Sequence, residues 1–411
     1  MQATRALNVM LIATALLFTA ACGQQSNCSG VGFGSTGGSG SGSTGSVNTG
    51  GSVCGSGNNG GGGGGNGSIS DFLYYLSFDT TVQNPTTDSV QGASLTTSGT
   101  FGPITNFTAP SFALDATQNM VVVNKQFLYI PQPNLNKIQA FSINRTTGGL
   151  TAIPGSPFAT AGGSSVVSDP QGHFLFVGSS TTGQISVFQI NATTGALTQN
   201  SNSPFATSLL FSFFVKVDGQ GKYLYVSQHD PSLPTGVFSI DPTTGDLLAV
   251  GTFALGISGG EIASPAGASS EYFIAGSGIG GDNNLYIFAI DPTSGIPTAV
   301  NGSPFATTAT PNFVAVHPSG KFIYASEVGT TIGPLEGFQI DSASGALTAI
   351  SPSAFTNLSD MQECQFDQSG ANAFCLSSTG YNVLSVNSST GVPTSSIPEL
   401  SVGQFVFAVT N

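Results

Sequence analysis

KIQAFSINRTTGGLTAIPGSPFAT, beginning at Lys137, recurs as QISVFQINATTGALTQNSNSPFAT from Gln184 and as NLYIFAIDPTSGIPTAVNGSPFAT from Asn284. Weaker copies begin at Gly236 (GVFSIDPTTGDLLAVGTFA), Leu335 (LEGFQIDSASGALTAISPSAF) and Asn382 (NVLSVNSSTGVPTSS). Their turn glycines are Gly148, Gly195, Gly245, Gly295, Gly345 and Gly391, which gives intervals of 47, 50, 50, 50 and 46 residues. Alternating β-branched and aromatic residues, broken by Gly, Pro, Asn and Asp turns, mark each unit as strands and hairpins without a helical period. A repeat of this length that is all strand fits one four-stranded blade. The expected fold is therefore all-β, a β-propeller.

Four strand signals follow one another inside a unit. In the clearest case NFVAV (312–316) leads through the polar turn HPSGK (317–321) to FIYA (322–325). A variable loop then precedes FQI (338–340), the turn ending at Gly345, and ALTAI (346–350). Innermost strands are read from near Phe112, Ser165, Phe213, Glu261, Phe313, Glu363 and Phe405, whereas only six units carry a clear third-strand motif. The count closes at seven blades, rather than six or eight, if the C-terminal GQFVFAVTN supplies the inner strand of a blade otherwise built from 71–104. Such a mixed blade joins the chain ends in one sheet and removes the open edges.

The propeller is expected over 69–411. Residues 1–22 read as an export signal, with Arg5 in the basic segment, an apolar run over 9–18 and Thr19-Ala20-Ala21-Cys22 as a lipobox-like end. Cys22 is then the lipidated first residue of the mature chain; an ordinary secretory signal with a nearby cysteine is the alternative. Gly23 in the next position favours the outer membrane. The expected location is the cell envelope of a bacterium, in the outer membrane or facing the periplasm. Residues 23–68 are almost all Gly, Ser, Asn and Thr, a flexible tether that cannot bury a core. Its six glycines at 60–65 lack the lysine, strand and helix that a phosphate-binding loop requires.

Composition narrows the partners. Charged residues make up 7% of the chain, against roughly 25% in average soluble proteins, and the net charge is −13 with no basic run. A nucleic-acid partner is excluded on that basis. No later stretch is long and apolar enough to span a bilayer, so membrane contact is expected through the lipid anchor alone. The chain is expected to be monomeric.

In a propeller the fourth-to-first and second-to-third connections share one face around the channel, and a site is expected there. His229 and Asp230 follow the strand at 223–226, Asp282 lies in GGDNN, and Glu327 follows 323–326. Glu261, Asp360 and Glu363 lie at or just before innermost strands. A histidine paired with a carboxylate can activate water for ester or lactone hydrolysis. Several carboxylates with Asn and carbonyl oxygens can instead hold a hard cation such as Ca²⁺, and no cofactor is otherwise required. Solvated loop acids that serve solubility are the competing reading. His173 and His317 sit in first-to-second turns on the opposite face, where turn stabilisation is the natural role.

Cys364 and Cys375 flank the turn at 367–370 symmetrically. Opposed antiparallel residues have Cα atoms roughly 4.5–5.5 Å apart, within disulfide range, so these two are expected to pair. Cys28 and Cys54 fall in the tether and can pair with each other. The Ser-Pro-Phe-Ala-Thr ends read as packing between blades by Phe158, Phe205 and Phe305. Thirty phenylalanines and no tryptophan point to blade filling, and away from the tryptophan platforms of many sugar sites.

The repeat D/N-x-x-T-G-x-L-T with its following G-S-P-F, the strand DPQGHFLFV (169–177) and the terminal FAVTN (407–411) resemble the seven-bladed lactonase-type propellers. That family includes 6-phosphogluconolactonase-like and muconate-cycloisomerase-like proteins, and the chain is equally similar to YVTN surface propellers. The resemblance runs over 69–411 and implies lactone hydrolysis. Enzyme-like members carry a histidine before an inner strand and D-L-G-x-D after the next; here GGSS (162–165) and TPNF (310–313) have no histidine, and GIGGD (278–282) is a faint match. A phosphorylated lactone needs a cationic clamp, yet beyond the signal the basic residues are Lys125, Lys137, Arg145, Lys216, Lys222 and Lys321, the last two in opposite-face turns.

Two expectations follow. One is a hydrolase outside the cytoplasm acting on an uncharged lactone or ester, with His229 and a carboxylate among Asp230, Asp282, Glu327 and Glu261 handling water. The other is a non-catalytic propeller that binds a glycan, an envelope component or a protein.

Overall fold

The computed structural model describes residues 69–411 except 79–86, 97–100, 105–106, 109, 114, 116, 118, 180, 210–213, 229–232, 255–260, 266–267, 269, 277–281, 328–333, 360, 362, 368, 378–380, 396–406 and 411. The segment expected to be a signal, with Cys22, the segment expected to be a tether, with Cys28 and Cys54, and the loop residues His229, Asp230 and Asp360 lie outside the described residues. Among the described residues all regular structure is strand.

Seven antiparallel sheets form the blades. Blade 1 is the mixed one: Phe407–Val409 is its inner strand, followed by Ile69–Phe78, Thr87–Thr96 and Phe101–Pro103. Blades 2 to 7 each run consecutively outward, from inner strands Val121–Val123, Ser165–Ser168, Phe214–Val217, Glu261–Ala263, Pro311–Val316 and Glu363–Phe366. The ring closes where Leu73 stands opposite Val409. There the Thr410 amide donates to the Phe72 carbonyl (2.9 Å) and the Phe72 amide to Thr410 Oγ1 (2.8 Å). Asp71 lies beside this clasp, 3.5 Å from Lys125 Nζ, and burial holds its carboxyl above the ordinary range despite the lysine.

Two readings of the sequence need correction. Phe112 does not open blade 2. Ser111–Ala113 pairs instead with Thr87–Thr96, because that ten-residue strand extends beyond its three-residue partner Phe101–Pro103 and offers free ladder positions. The Ser-Pro-Phe-Ala-Thr ends are also more than packing. A cis Ser-Pro bond at 156–157, 203–204 and 303–304 splits the outer strand in two. The second piece (Phe158–Ala159, Phe205–Ala206 or Phe305–Ala306) pairs again with the third strand. At the break Ser156, Ser203 and Ser303 Oγ each accept a third-strand amide at 2.9 Å, which replaces the lost ladder bond. The three phenylalanines pack, half-buried, on apolar clusters shared by adjacent blades.

Blades are joined by a repeated device. The second strand carries an aromatic pair two residues apart, such as Phe72/Tyr74, Phe127/Tyr129 and Tyr223/Tyr225. The hydroxyls of Tyr74, Tyr129, Tyr225 and Tyr324 donate to the carbonyls of Gly148, Gly195, Gly295 and Gly391 in the next blade, at 2.8, 2.7, 2.9 and 2.6 Å. The first residue of the pair, always aromatic beside these turns, packs against the same glycine: a Cβ on any of the six repeat glycines would come within 3.0 Å of that ring. These glycines have φ of +71° to +75°, a left-handed conformation that closes the turn and is costly for other residues.

Losing one such bond while its carbonyl stays buried should lower the unfolding free energy by about 1 kcal/mol. Tyr225→Phe is therefore expected to shift the urea midpoint downward modestly. Gly295→Ala, which adds left-handed strain of roughly 1–2 kcal/mol to the contact with the Tyr223 ring, should shift it further.

Candidate functional site

The pairing register aligns the inner strands. Val409, Val122, Ser168, Val217, Ile262, Val316 and Phe366 stand opposite equivalent second-strand residues, Leu73, Leu128, Leu175, Leu224, Phe273, Ile323 and Ala373. The preceding residue in each blade forms one level of the channel: Ala408, Val121, Val167, Lys216, Glu261, Ala315 and Gln365. Two residues earlier, nearer the face with the second-to-third loops, comes a level containing Asn119, Ser165, Phe214, Phe313 and Glu363. We call these the deep ring and the mouth ring. An inner strand has blades on both sides and a strand behind it, so surface it leaves open faces the channel or its ends.

Only three charged side chains occur on the described inner strands, and they interact. Lys216 Nζ lies 2.5 Å from Glu261 Oε1, each side chain about one-third open (37% and 35%). Glu363 comes from blade 7, three blades from Lys216, yet it feels the charges of both Lys216 and Glu261. The channel is therefore narrow enough to couple its walls. Burial pushes the Glu363 carboxyl up to about 7, with Glu261 adding to the rise. A side-chain hydrogen bond with Gln365 and the Lys216 charge oppose it. Behind Glu363, Leu376 and Tyr381 complete one cross-strand row. Tyr381 is fully buried, its ring 5.5 Å from that of Tyr75, and burial raises its hydroxyl pKa above the usual phenol range. Cys364, between Glu363 and Gln365, is bonded to Cys375 directly opposite (S–S 1.97 Å) and faces the other side of the sheet.

The other candidates fall elsewhere. Asp282 is exposed on the second-to-third loop of blade 5, where Tyr286 donates its hydroxyl to Oδ2 at 2.7 Å. Glu327 ends a second strand opposite Pro311. Glu261 is thus the catalytic candidate that the structure brings into the channel, together with Glu363. Lys216, Gln365, Phe214 and Phe313 were not singled out for the site, though aligning the repeats on the first-to-second turn would have placed them on the same two levels. Among the described residues no three His, Cys, Asp or Glu side chains converge with metal-ligating spacing.

The opposite face is structural. A cavity of about 160 Å³ between blades 4 and 5 is lined by Asp218, Lys222, Ser264 and Glu271 among others. Its acids are committed: Asp218 Oδ1 accepts the amides of Lys222 (2.6 Å) and Tyr223 (2.9 Å), and Glu271 accepts from Ser264 Oγ (2.8 Å) and the Gly219 amide (3.1 Å). Burial raises both carboxyls. Asp169 locks the equivalent turn of blade 3 through the Phe174 amide (2.6 Å). His317 is buried and bridges Ser319 Oγ (2.8 Å) to the Gly370 carbonyl of the next blade (3.0 Å), whereas His173 is largely exposed beside Asp169.

A paired cation, a carboxyl poised near neutrality and two phenyl rings at the mouth of a propeller channel invite comparison with known propellers. Residues 85–211 match the family model of the lactonases, seven-bladed β-propellers. No curated protein matches the sequence. Among solved structures, a putative 6-phosphogluconolactonase from Bacteroides fragilis aligns at 14% identity and a TM-score of 0.62, over 82% of this chain and 97% of that one. The periplasmic gluconolactonase PpgL of Pseudomonas aeruginosa aligns at 15% identity and 0.59, over 81% and 96%. A putative 6-phosphogluconolactonase from Bacteroides uniformis aligns at 16% and 0.59, over 81% and 96%. At these identities the likeness to the lactonase-type structures is one of fold.

Glu363 also leaves a signature in stability. Its folded pKa of about 7 lies above the ordinary 4.5, so the neutral form is favoured in the fold. That contribution is complete below pH 4.5 and is lost as pH rises through about 7. Glu363→Gln is expected to flatten the stability profile across this interval and to be more stable than wild type at pH 8, as read by chemical unfolding.

Proposed function

We propose that this propeller hydrolyses an uncharged lactone outside the cytoplasm, anchored to the envelope through Cys22. The observation that carries the reading is Glu363: a carboxyl held near neutrality at the channel mouth, with the one cation of the described inner strands, Lys216, in range. A base with its pKa near the working pH is the efficient one for proton transfer. Glu363 removes a proton from water as the oxygen adds to the lactone carbonyl. Lys216 favours the negative charge that develops on the carbonyl oxygen. When the ring C–O bond breaks, the proton passes from Glu363 to the departing alkoxide, and one hydroxy acid is released for each water consumed. The match to the lactonase model and the export-like sequence of residues 1–22 support the same reading. With Lys216 already paired to Glu261 and two carboxyls in the channel, a phosphorylated substrate is disfavoured.

Ca²⁺ remains a proposal for the loop acids and is tested by comparing turnover with and without the added ion. A glycan or another envelope ligand is the alternative occupant, since the exposed Phe313 ring offers a stacking face at the same mouth.

In a pH-stat assay of the full chain, kcat/KM for δ-lactones should rise as pH passes about 7 and then level off. Glu363→Gln should lower it by about 100-fold or more. Turnover that survives this change but collapses in His229→Ala would move the base to the loop. No turnover in wild type would favour the binding reading.

A further inference from the structure

The channel walls are divided by polarity. In the deep ring Lys216, Glu261 and Gln365 come from blades 4, 5 and 7, whereas Val121 and Val167 come from the adjacent blades 2 and 3; Ala408 of blade 1 and Ala315 of blade 6 are buried behind the wall. Val121 and Val167 are half-buried: one side packs on the clusters between blades and the remainder is open. At the mouth Phe313 is 39% exposed and Phe214 half-buried, both level with Glu363. A polyol lactone would bury its hydroxyls against these surfaces without partners, which costs binding. An aliphatic group would cover them at a gain.

We infer that the substrate carries an unbranched aliphatic substituent on the lactone ring, an inference that rests on the hydrolase reading above for its chemistry. The ring sits at the mouth against Phe313 and Phe214, with its ester carbonyl toward Glu363 and Lys216. The chain runs down the side formed by Val121 and Val167, away from the Lys216–Glu261 pair. Each methylene fully removed from water is worth about fourfold in affinity, so a pentyl chain needs only partial burial to dominate selectivity.

The test compares δ-decanolactone, δ-valerolactone and glucono-δ-lactone as substrates of the full chain. Binding of two non-hydrolysable lactams, 6-pentylpiperidin-2-one and piperidin-2-one, is measured in parallel by calorimetry. The expected result is a kcat/KM for δ-decanolactone at least tenfold above the other two, and at least tenfold tighter binding of the pentyl lactam. Val167→Thr, close in shape and more polar, should narrow both ratios severalfold. Equal affinities for the two lactams, or preferred turnover of glucono-δ-lactone, would overturn the inference and leave lactone hydrolysis standing. Selective binding of the pentyl lactam without turnover of any lactone would uphold the apolar strip and remove the hydrolase reading alone.

Discussion

The ring depends on one contact made again and again: a tyrosine hydroxyl of one blade reaching the carbonyl of a left-handed glycine in the next, with a second aromatic ring lying on that glycine. A blade alone has two apolar faces and cannot bury either without a neighbour. The hydroxyl–carbonyl bond fixes how far each blade slides along the next, and the ring on the glycine fixes the spacing. Where phenylalanine or isoleucine replaces the tyrosine, as at Phe176 and Ile274, the apolar contact remains without this bond, and beside Ile274 the Tyr272 hydroxyl donates instead to the Ser342 carbonyl of the next blade at 3.0 Å. The framework tolerates that because successive blades share continuous clusters of buried side chains.

That outer framework frees the inner strands. Packing between blades is settled mainly by the second strands, whose residues are almost all buried, and by the buried residues of the third strands. The inner strands can therefore differ blade by blade without cost to the ring. Lys216, Glu261, Gln365 and Glu363 occupy positions that are Val, Ala, Ser, Asn or Phe in other blades. A burial penalty that would be spread thin on a surface is concentrated here, and it falls most heavily on Glu363, because the Lys216 charge that opposes it is already paired with Glu261.

The fold was legible because its signals are local and repeated: turn glycines at near-constant intervals, and hairpins whose strands are adjacent in sequence. Even the mixed blade followed from counting inner strands against third strands. The misplacement of Phe112 arose because its ladder partner, Thr87–Thr96, belongs to the least regular blade, which lacks the repeat motif. The site was less legible because it is assembled across blades. Glu261 and Glu363 could be picked out as acids near the channel, but their relation to Lys216 depends on closing the ring, which no local pattern encodes. The turn histidines were more readable because His317 and His173 each contact a partner in their own turn, although the reach of His317 to Gly370 in the next blade is again a contact that no local pattern encodes.

The clasp in blade 1 has a consequence for how the molecule comes to exist. Its bonded residues, Phe72 and Thr410, are 338 positions apart. Blades 2 to 7 are each contiguous and can stack in order as the chain emerges, in the manner of other repeat proteins. Blade 1 must wait, holding the unpaired edge of its Ile69–Phe78 strand until Phe407–Val409 arrives. Until Phe407–Val409 is in place, that edge stays open to pairing with other strands. Phe407–Val409 and Thr410 thus govern the final step of assembly, since the ring shuts only when they reach the Ile69–Phe78 strand.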